Sequence, residues 1–172
     1  FVMLERISLW RRPLNFAAFA FCALSLAVAY YLQFVQGMDP CPLCIFQRVA
    51  MFALAVVFLL AALQHPRRLG SSIYALLVAV VGGIGAAIAG RHVWLQSLPE
   101  DQLPSCGPGL DYLLDVFPLF ETISVVLRGS GECAEVETLF GLSLPLLTLL
   151  AFVGLAVAGV LINLSVFARR AE

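Results

Sequence analysis

Charged residues are missing from four long stretches of the chain, and those stretches set its architecture. None occurs from Pro13 to Met38, from Val49 to Gln64, from Leu69 to Gly90, or from Thr138 to Ala168. A helix rises about 1.5 Å per residue and needs about 20 apolar residues to cross a bilayer. The pattern therefore predicts four transmembrane helices, at about residues 14–35, 44–64, 69–90 and 144–167. The second is the shortest, and it spans only with Arg48 at the interface, because Arg at the bilayer centre costs about 2.5–3.5 kcal/mol. Residues 36–43 and 91–143 are left as loops on one side. The expected fold is an all-α membrane protein: one domain over residues 1–172, a four-helix transmembrane bundle with a long outer loop.

Within that loop, Leu113, Leu114, Phe117, Phe120, Ile123 and Leu127 recur at helical spacing, with Asp115, Glu121 and Arg128 at other positions and Pro118 as a bend point. This predicts a short amphipathic helix lying on the membrane surface. Gly82, Ala86 and Gly90 in the third span, and Gly154 and Ala158 in the fourth, sit four residues apart, a spacing that lets helix backbones approach closely. The first span has a rival reading. Arg6, Arg11 and Arg12 before an apolar run ending in Ala27-Val28-Ala29 resemble a cleavable signal, but the run is longer than such a core, which favours a span.

Composition sharpens the picture. Of 172 residues, 62% are hydrophobic and 12% charged, with a mean hydropathy of +0.98. Soluble domains are about 45–50% apolar and about 25% charged, so an ordinary soluble enzyme and a disordered regulator are excluded. The net charge is −1 and every basic residue is an arginine, which leaves no polycationic surface for a nucleic acid. The arginines also predict orientation. Arg6, Arg11, Arg12, Arg67, Arg68, Arg169 and Arg170 share one side, whereas the opposite loops hold Arg91 and Arg128 with Asp39, Glu100, Asp101, Asp111 and Asp115. By the positive-inside rule both termini are cytoplasmic and the long loop faces outward.

The cysteines carry the candidate chemistry. Cys22 lies within the first span, where a buried, unreactive thiol is the ordinary role. Cys41, Cys44, Cys106 and Cys133 all fall on the outer side, where thiols tend to be oxidised. Four cysteines allow three pairings; Cys41–Cys44 with Cys106–Cys133 is the most economical. A c-type haem needs His after the second Cys of a CxxC, and Ile45 stands there. Zinc calls for a second close pair or neighbouring His ligands, so no metal site is expected. A redox disulfide remains. Pro40-Cys41-Pro42-Leu43-Cys44 runs straight into an apolar helix, which puts Cys44 in a first turn whose free N–H groups and dipole stabilise a thiolate. Arg48 follows four residues later on the same face, either as a partner of that thiolate or as an ordinary snorkelling residue. The second pair sits in turn-rich surroundings, Pro104-Ser105-Cys106-Gly107-Pro108-Gly109 and Gly129-Ser130-Gly131-Glu132-Cys133, which suits a labile bridge. A bracing staple is the plainer alternative, and closing such a loop stabilises it by about 3–4 kcal/mol.

Together these residues resemble the disulfide bond formation protein B (DsbB) family of bacterial inner membranes. The matching features are the four spans, Cys41-Pro42-Leu43-Cys44 leading into Phe46-Gln47-Arg48, the pair Cys106/Cys133, and Gly131-Glu132-Cys133-Ala134-Glu135 through Phe140-Gly141-Leu142 and Pro145. The resemblance implies a thiol:quinone oxidoreductase. A DsbA-like periplasmic thioredoxin-fold oxidase would attack the loop disulfide at Cys106, with Cys133 as its partner. Electrons would pass to Cys41–Cys44 and from Cys44 to a quinone of the membrane pool, ubiquinone or menaquinone. Arg48 matches the family's quinone-site arginine, and His92, in Arg91-His92-Val93-Trp94, resembles a second quinone contact; hydrogen bonding to a loop is its plainer role. Gln47 stands where some members carry Glu and is assigned no role. Two rivals are a structural membrane subunit braced by disulfides and a vitamin K epoxide reductase-like redox protein. The early position of the CxxC, with Arg48 four residues on, favours the first family.

Overall fold

The computed structural model describes residues 9–102, 110–129, 131–134, 138–139 and 141–170. Four long apolar helices form the bundle: α1 (Arg11–Phe34), α2 (Pro42–Gln64), α3 (Arg68–Gln96) and, after the loop, α6 (Leu144–Leu164). Each is long and apolar enough to cross a membrane. The third helix does not stop near residue 90 but runs on to Gln96, so Arg91, His92 and Trp94 occupy its final turns. The loop contributes α4 (Leu110–Val116) and α5 (Leu119–Arg128), 3-10 turns at Glu100–Gln102 and Gly131–Ala134, and a two-stranded antiparallel pair, β1 (Thr138–Leu139) with β2 (Leu142–Ser143).

Around the chain's order, α1 lies on α2, α2 on α3, and α3 on α6, with α3 and α6 making the most extensive contact. Small residues explain that closeness. A Cβ on Gly82 would come within 2.9 Å of the Ala156 Cβ, and one on Gly85 would collide with the Phe152 ring. Gly159 likewise faces Phe58 and Val78. The expected spacing is thus correct for Gly82 but not for Gly154, which has open space around it. A period of four names a helix face without saying which face meets a neighbour.

The bundle core is Cys22, Met51, Leu54, Phe58, Val78, Ala89, Phe152 and Leu155. Its outer faces remain apolar, with Leu24, Leu76, Ile84, Val153 and Val157 exposed, as suits lipid and not water. Near the start of α1, polar groups tie three helices together. Asn163 Nδ2 donates to Asn15 Oδ1 at 3.1 Å, and Ser71 Oγ donates to the Asn163 carbonyl at 2.7 Å. Such bonds inside membrane bundles are worth about 0.6 kcal/mol on average.

The loop helix differs from its expected form. Pro118 ends one helix and begins another, because it lacks the N–H that would continue the first. Leu113, Thr122 and Val126 face inward, joined by a 2.9 Å bond from Thr122 Oγ1 to the Leu113 carbonyl. Leu114, Phe117, Phe120 and Leu127 are exposed instead.

Candidate redox site

The site begins at the N-terminus of α2. Cys41 is the cap residue, with extended backbone, and Pro42 takes the first helical position. The Cys41 sulfur accepts from the Cys44 N–H at 3.4 Å, where a serine or aspartate oxygen would ordinarily serve. This capping bond folds the CxxC onto itself. The two thiol sulfurs stand 3.1 Å apart, Cys41 buried and Cys44 half-buried.

The last turns of α3 bring His92 to the same place. It is buried, with Nε2 3.9 Å from Cys41 Sγ and Nδ1 3.9 Å from Cys44 Sγ. Gln47, also buried, places its side-chain nitrogen 3.1 Å from His92 Nδ1. In this orientation the amide donates to Nδ1, so the ring proton sits on Nε2, toward Cys41. Sequence reasoning assigned Gln47 no role, yet a signal was available: Gln47 is three residues beyond Cys44 and so shares its helix face.

Cys133 completes the cluster from the loop. It is buried, and its sulfur, that of Cys41 and a ring nitrogen of His92 all lie within 4.8 Å of one another. Two features of the chain put it there. Arg91 stacks 4.1 Å over the Trp94 ring and donates to the carbonyls of Leu127 and Arg128 at 3.2 and 3.0 Å, pinning the end of α5 to α3. Gly129 then turns the chain with a φ of +88° while lying against Leu95, where a Cβ would collide. Leu43, Ile88, Leu95, Leu113 and Val126 pack round Cys41 and Cys133 as a small apolar core of their own. Cys106, and with it the expected Cys106–Cys133 pair, lies outside the described residues.

Gly129→Val is accordingly expected to strain the turn and push Cys133 from α3, a cost of about 1–3 kcal/mol for overpacking alone. The check is the rate at which a short bifunctional thiol reagent joins Cys41 to Cys133 in reduced protein. It should fall about tenfold or more, the factor that corresponds to 1.4 kcal/mol, while helix content holds.

Arg48 occupies a different part of the site. Its guanidinium donates to Gln33 Oε1 and, at 3.1 Å, to the Ala29 carbonyl, and lies 5.2 Å from the centre of the Tyr30 ring. All three partners belong to α1. Beside it an open groove of about 390 Å³ lies along the seam between α1 and α2, lined by Leu26, Tyr30, Gln33, Ile45, Arg48 and Phe52 among others. His92 is absent from that lining and faces the sulfurs instead. Gln33 had no sequence signal beyond being polar inside an apolar window.

A CxxC with one thiol buried and one half-buried, a third cysteine and a histidine thus meet at one end of an apolar bundle. The family model described as "Disulfide bond formation protein DsbB" matches residues 11–162. The chain belongs to the DsbB family. It is similar to disulfide bond formation protein B of Nitrosococcus oceani, 59% identical over 83% of this chain and 85% of that one. The protein of the same name from Hahella chejuensis is 49% identical over 85% of this chain and 89% of its own. That from Marinobacter nauticus is 48% identical over 88% and 91%. As a DsbB family member the chain is a multi-pass membrane enzyme, a thiol:quinone oxidoreductase of disulfide bond formation. Membership in a family of oxidoreductases sets aside the structural-subunit reading.

Proposed function

We propose that this chain reoxidises a DsbA-like periplasmic oxidase through Cys106 and Cys133, moves the electrons to Cys41 and Cys44, and delivers them to a membrane quinone, ubiquinone or menaquinone. The observation that carries this reading is the meeting of Cys133 with Cys41 and His92 in one buried cluster. Loop and helix sulfurs within reach of each other are what an exchange between two disulfides requires.

The steps balance as follows. The reduced partner's thiolate attacks the Cys106–Cys133 bridge at Cys106, its second thiol closes the partner's own disulfide, and Cys106 and Cys133 are left as thiols. Cys133, as thiolate, attacks Cys41 Sγ of the Cys41–Cys44 disulfide and Cys44 leaves as thiolate. Cys106 then attacks Cys133, the loop bridge re-forms, and Cys41 leaves. Two electrons and two protons now rest on the CxxC. His92 Nε2–H, directed at Cys41, stabilises that sulfur whenever it is the leaving group, and Gln47 keeps the ring in this tautomer.

The residues beside the CxxC suit a quinone. The groove's volume is in the range of small-ligand sites, and its walls are apolar and aromatic with Arg48 as the one cation. When bound there, the quinone is the two-electron, two-proton acceptor that allows Cys41–Cys44 to close again. Arg48 would face the ring oxygens, where negative charge gathers on reduction, held ready by Gln33, Ala29 and Tyr30. His92 contributes from the sulfur side, its Nδ1 edge being 3.9 Å from Cys44 Sγ.

The arginine distribution supports cytoplasmic termini in the bacterial inner membrane, with the four redox cysteines on the periplasmic side. The exposed faces of α4 and α5, with Leu114 and Phe120, and Phe117 between them, suit contact with the bilayer surface. The purified protein is expected to oxidise reduced DsbA catalytically when quinone is supplied, followed by partner thiol loss and quinone absorbance together. Sustained oxidation beyond one turnover without quinone would overturn the mechanism.

A further inference from the structure

The sequence argued against a metal because no histidine stands near the CxxC and no second close pair of cysteines follows it. Folding removes both objections. Cys41, His92 and Cys133 are all buried, their ligand atoms within 4.8 Å of one another, and Cys44 Sγ stands 3.1 Å from Cys41 Sγ. We propose that the fully reduced protein binds one zinc ion, or another soft d10 divalent cation, through the Cys41 and Cys133 thiolates and His92 Nε2, with Cys44 as the fourth ligand.

The chemistry and dimensions agree. Zinc–sulfur bonds of about 2.3 Å and zinc–nitrogen bonds of about 2.0–2.1 Å put the ligand atoms of a tetrahedral site roughly 3.5–3.8 Å apart. Cys41 Sγ and His92 Nε2 are already 3.9 Å apart, so side-chain rotation closes the remainder. Binding converts three thiols into thiolates and releases three protons for each ion; two of the charges cancel those of the ion, and the buried site is left with a single negative charge instead of three. Gln47 supplies the supporting contact. Turned over, its amide oxygen accepts from Nδ1–H at the same 3.1 Å, freeing Nε2 for the metal. Either amide orientation is open to a glutamine, so one side chain serves both the relay and the metal form.

The site is gated by redox state. Cys41 and Cys133 are both thiols only when the CxxC and the loop pair are reduced together, the condition reached when electrons arrive and no acceptor removes them. A disulfide at either pair withdraws a ligand. Zinc would thus park the enzyme in its electron-filled form and shield its thiols.

The inference rests on the reading that these cysteines exchange electrons, but its test needs no turnover. Full-length protein carrying Cys22→Ser, reduced and free of quinone, is titrated with Cd2+, and the ultraviolet cadmium–thiolate band is recorded; Zn2+ then competes. One Cd2+ per chain is expected, and none after oxidation with diamide. Cys41→Ser, Cys133→Ser, His92→Ala and the more conservative His92→Gln should each weaken binding by about tenfold or more, with gel-filtration profiles showing that each variant folds. Absence of stoichiometric binding, or parental affinity in either Cys133→Ser or both folded His92 variants, overturns the site. A chain that takes up Cd2+ yet fails to reoxidise DsbA overturns the preceding function and leaves the metal site standing; the reverse result does the opposite.

Discussion

Cys44→Ser is expected to abolish sustained quinone reduction, lowering turnover by about 10³-fold or more, as removal of a covalent catalyst does. Cys44 is the CxxC member next to the Arg48 side of α2, and serine lacks the polarizable sulfur that carries the electron pair. The fold should tolerate the change, because the capping bond uses the Cys44 backbone N–H and the Cys41 sulfur. The loop pair keeps its chemistry. A rapid mix of the variant with reduced DsbA should therefore still trap a mixed disulfide at Cys106, visible as a shifted band on a non-reducing gel. Full turnover by this variant would show that the CxxC is a brace.

Arg48→Ala carries the second largest effect. The guanidinium is held by Gln33, the Ala29 carbonyl and the Tyr30 ring, so it is fixed before any acceptor arrives. A preorganised positive group facing developing negative charge is worth about 10²–10³ in rate. The loss should appear in the quinone step alone: oxidation of one equivalent of DsbA in single-turnover mode stays near its parental rate, while multiple-turnover quinone reduction collapses. An unchanged dependence on quinone concentration would refute the role. Because Arg48 also joins α1 to α2, Arg48→Lys separates charge from fit. It keeps the positive charge but offers no planar fork for two acceptors, and an intermediate rate is expected.

Much of this could be read before folding. Four charge-free windows become four long helices because a single apolar stretch in a bilayer satisfies its own backbone groups only as a helix. Cys44 lies in the first turn of α2 because Pro42 opens that helix, a local matter written in five residues. The cluster was not legible, since Cys41, His92 and Cys133 come from three separate segments. Their meeting depends on the Arg91 clamp, the extra turns of α3, and a positive φ at Gly129, none of which leaves a period in the sequence. The loop helix shows the intermediate case. Its apolar residues announce a helix, but both faces carry them, and only packing decides that Leu113 and Val126 go inward while Phe120 goes out. The paired strands near Leu142 are two residues each, too short to display alternation.

The first helix is thinly held. Along its described length only Arg11, Asn15 and Cys22 are buried, and it leans chiefly on α2. The groove beside Arg48 lies in that seam, with Tyr30, Val49 and Phe52 exposed on the flank that lipid would cover. An acceptor would therefore arrive sideways, travelling in two dimensions through the hydrocarbon, and not down from the aqueous face where protein thiols dock. The quantity that governs its supply is then its mole fraction in the membrane. Diluting vesicles with buffer changes nothing at that seam, whereas diluting them with lipid starves it. With the proposed quinone seat in that seam, the two substrates would not compete for an entrance, and the enzyme would join two compartments whose concentrations are set independently.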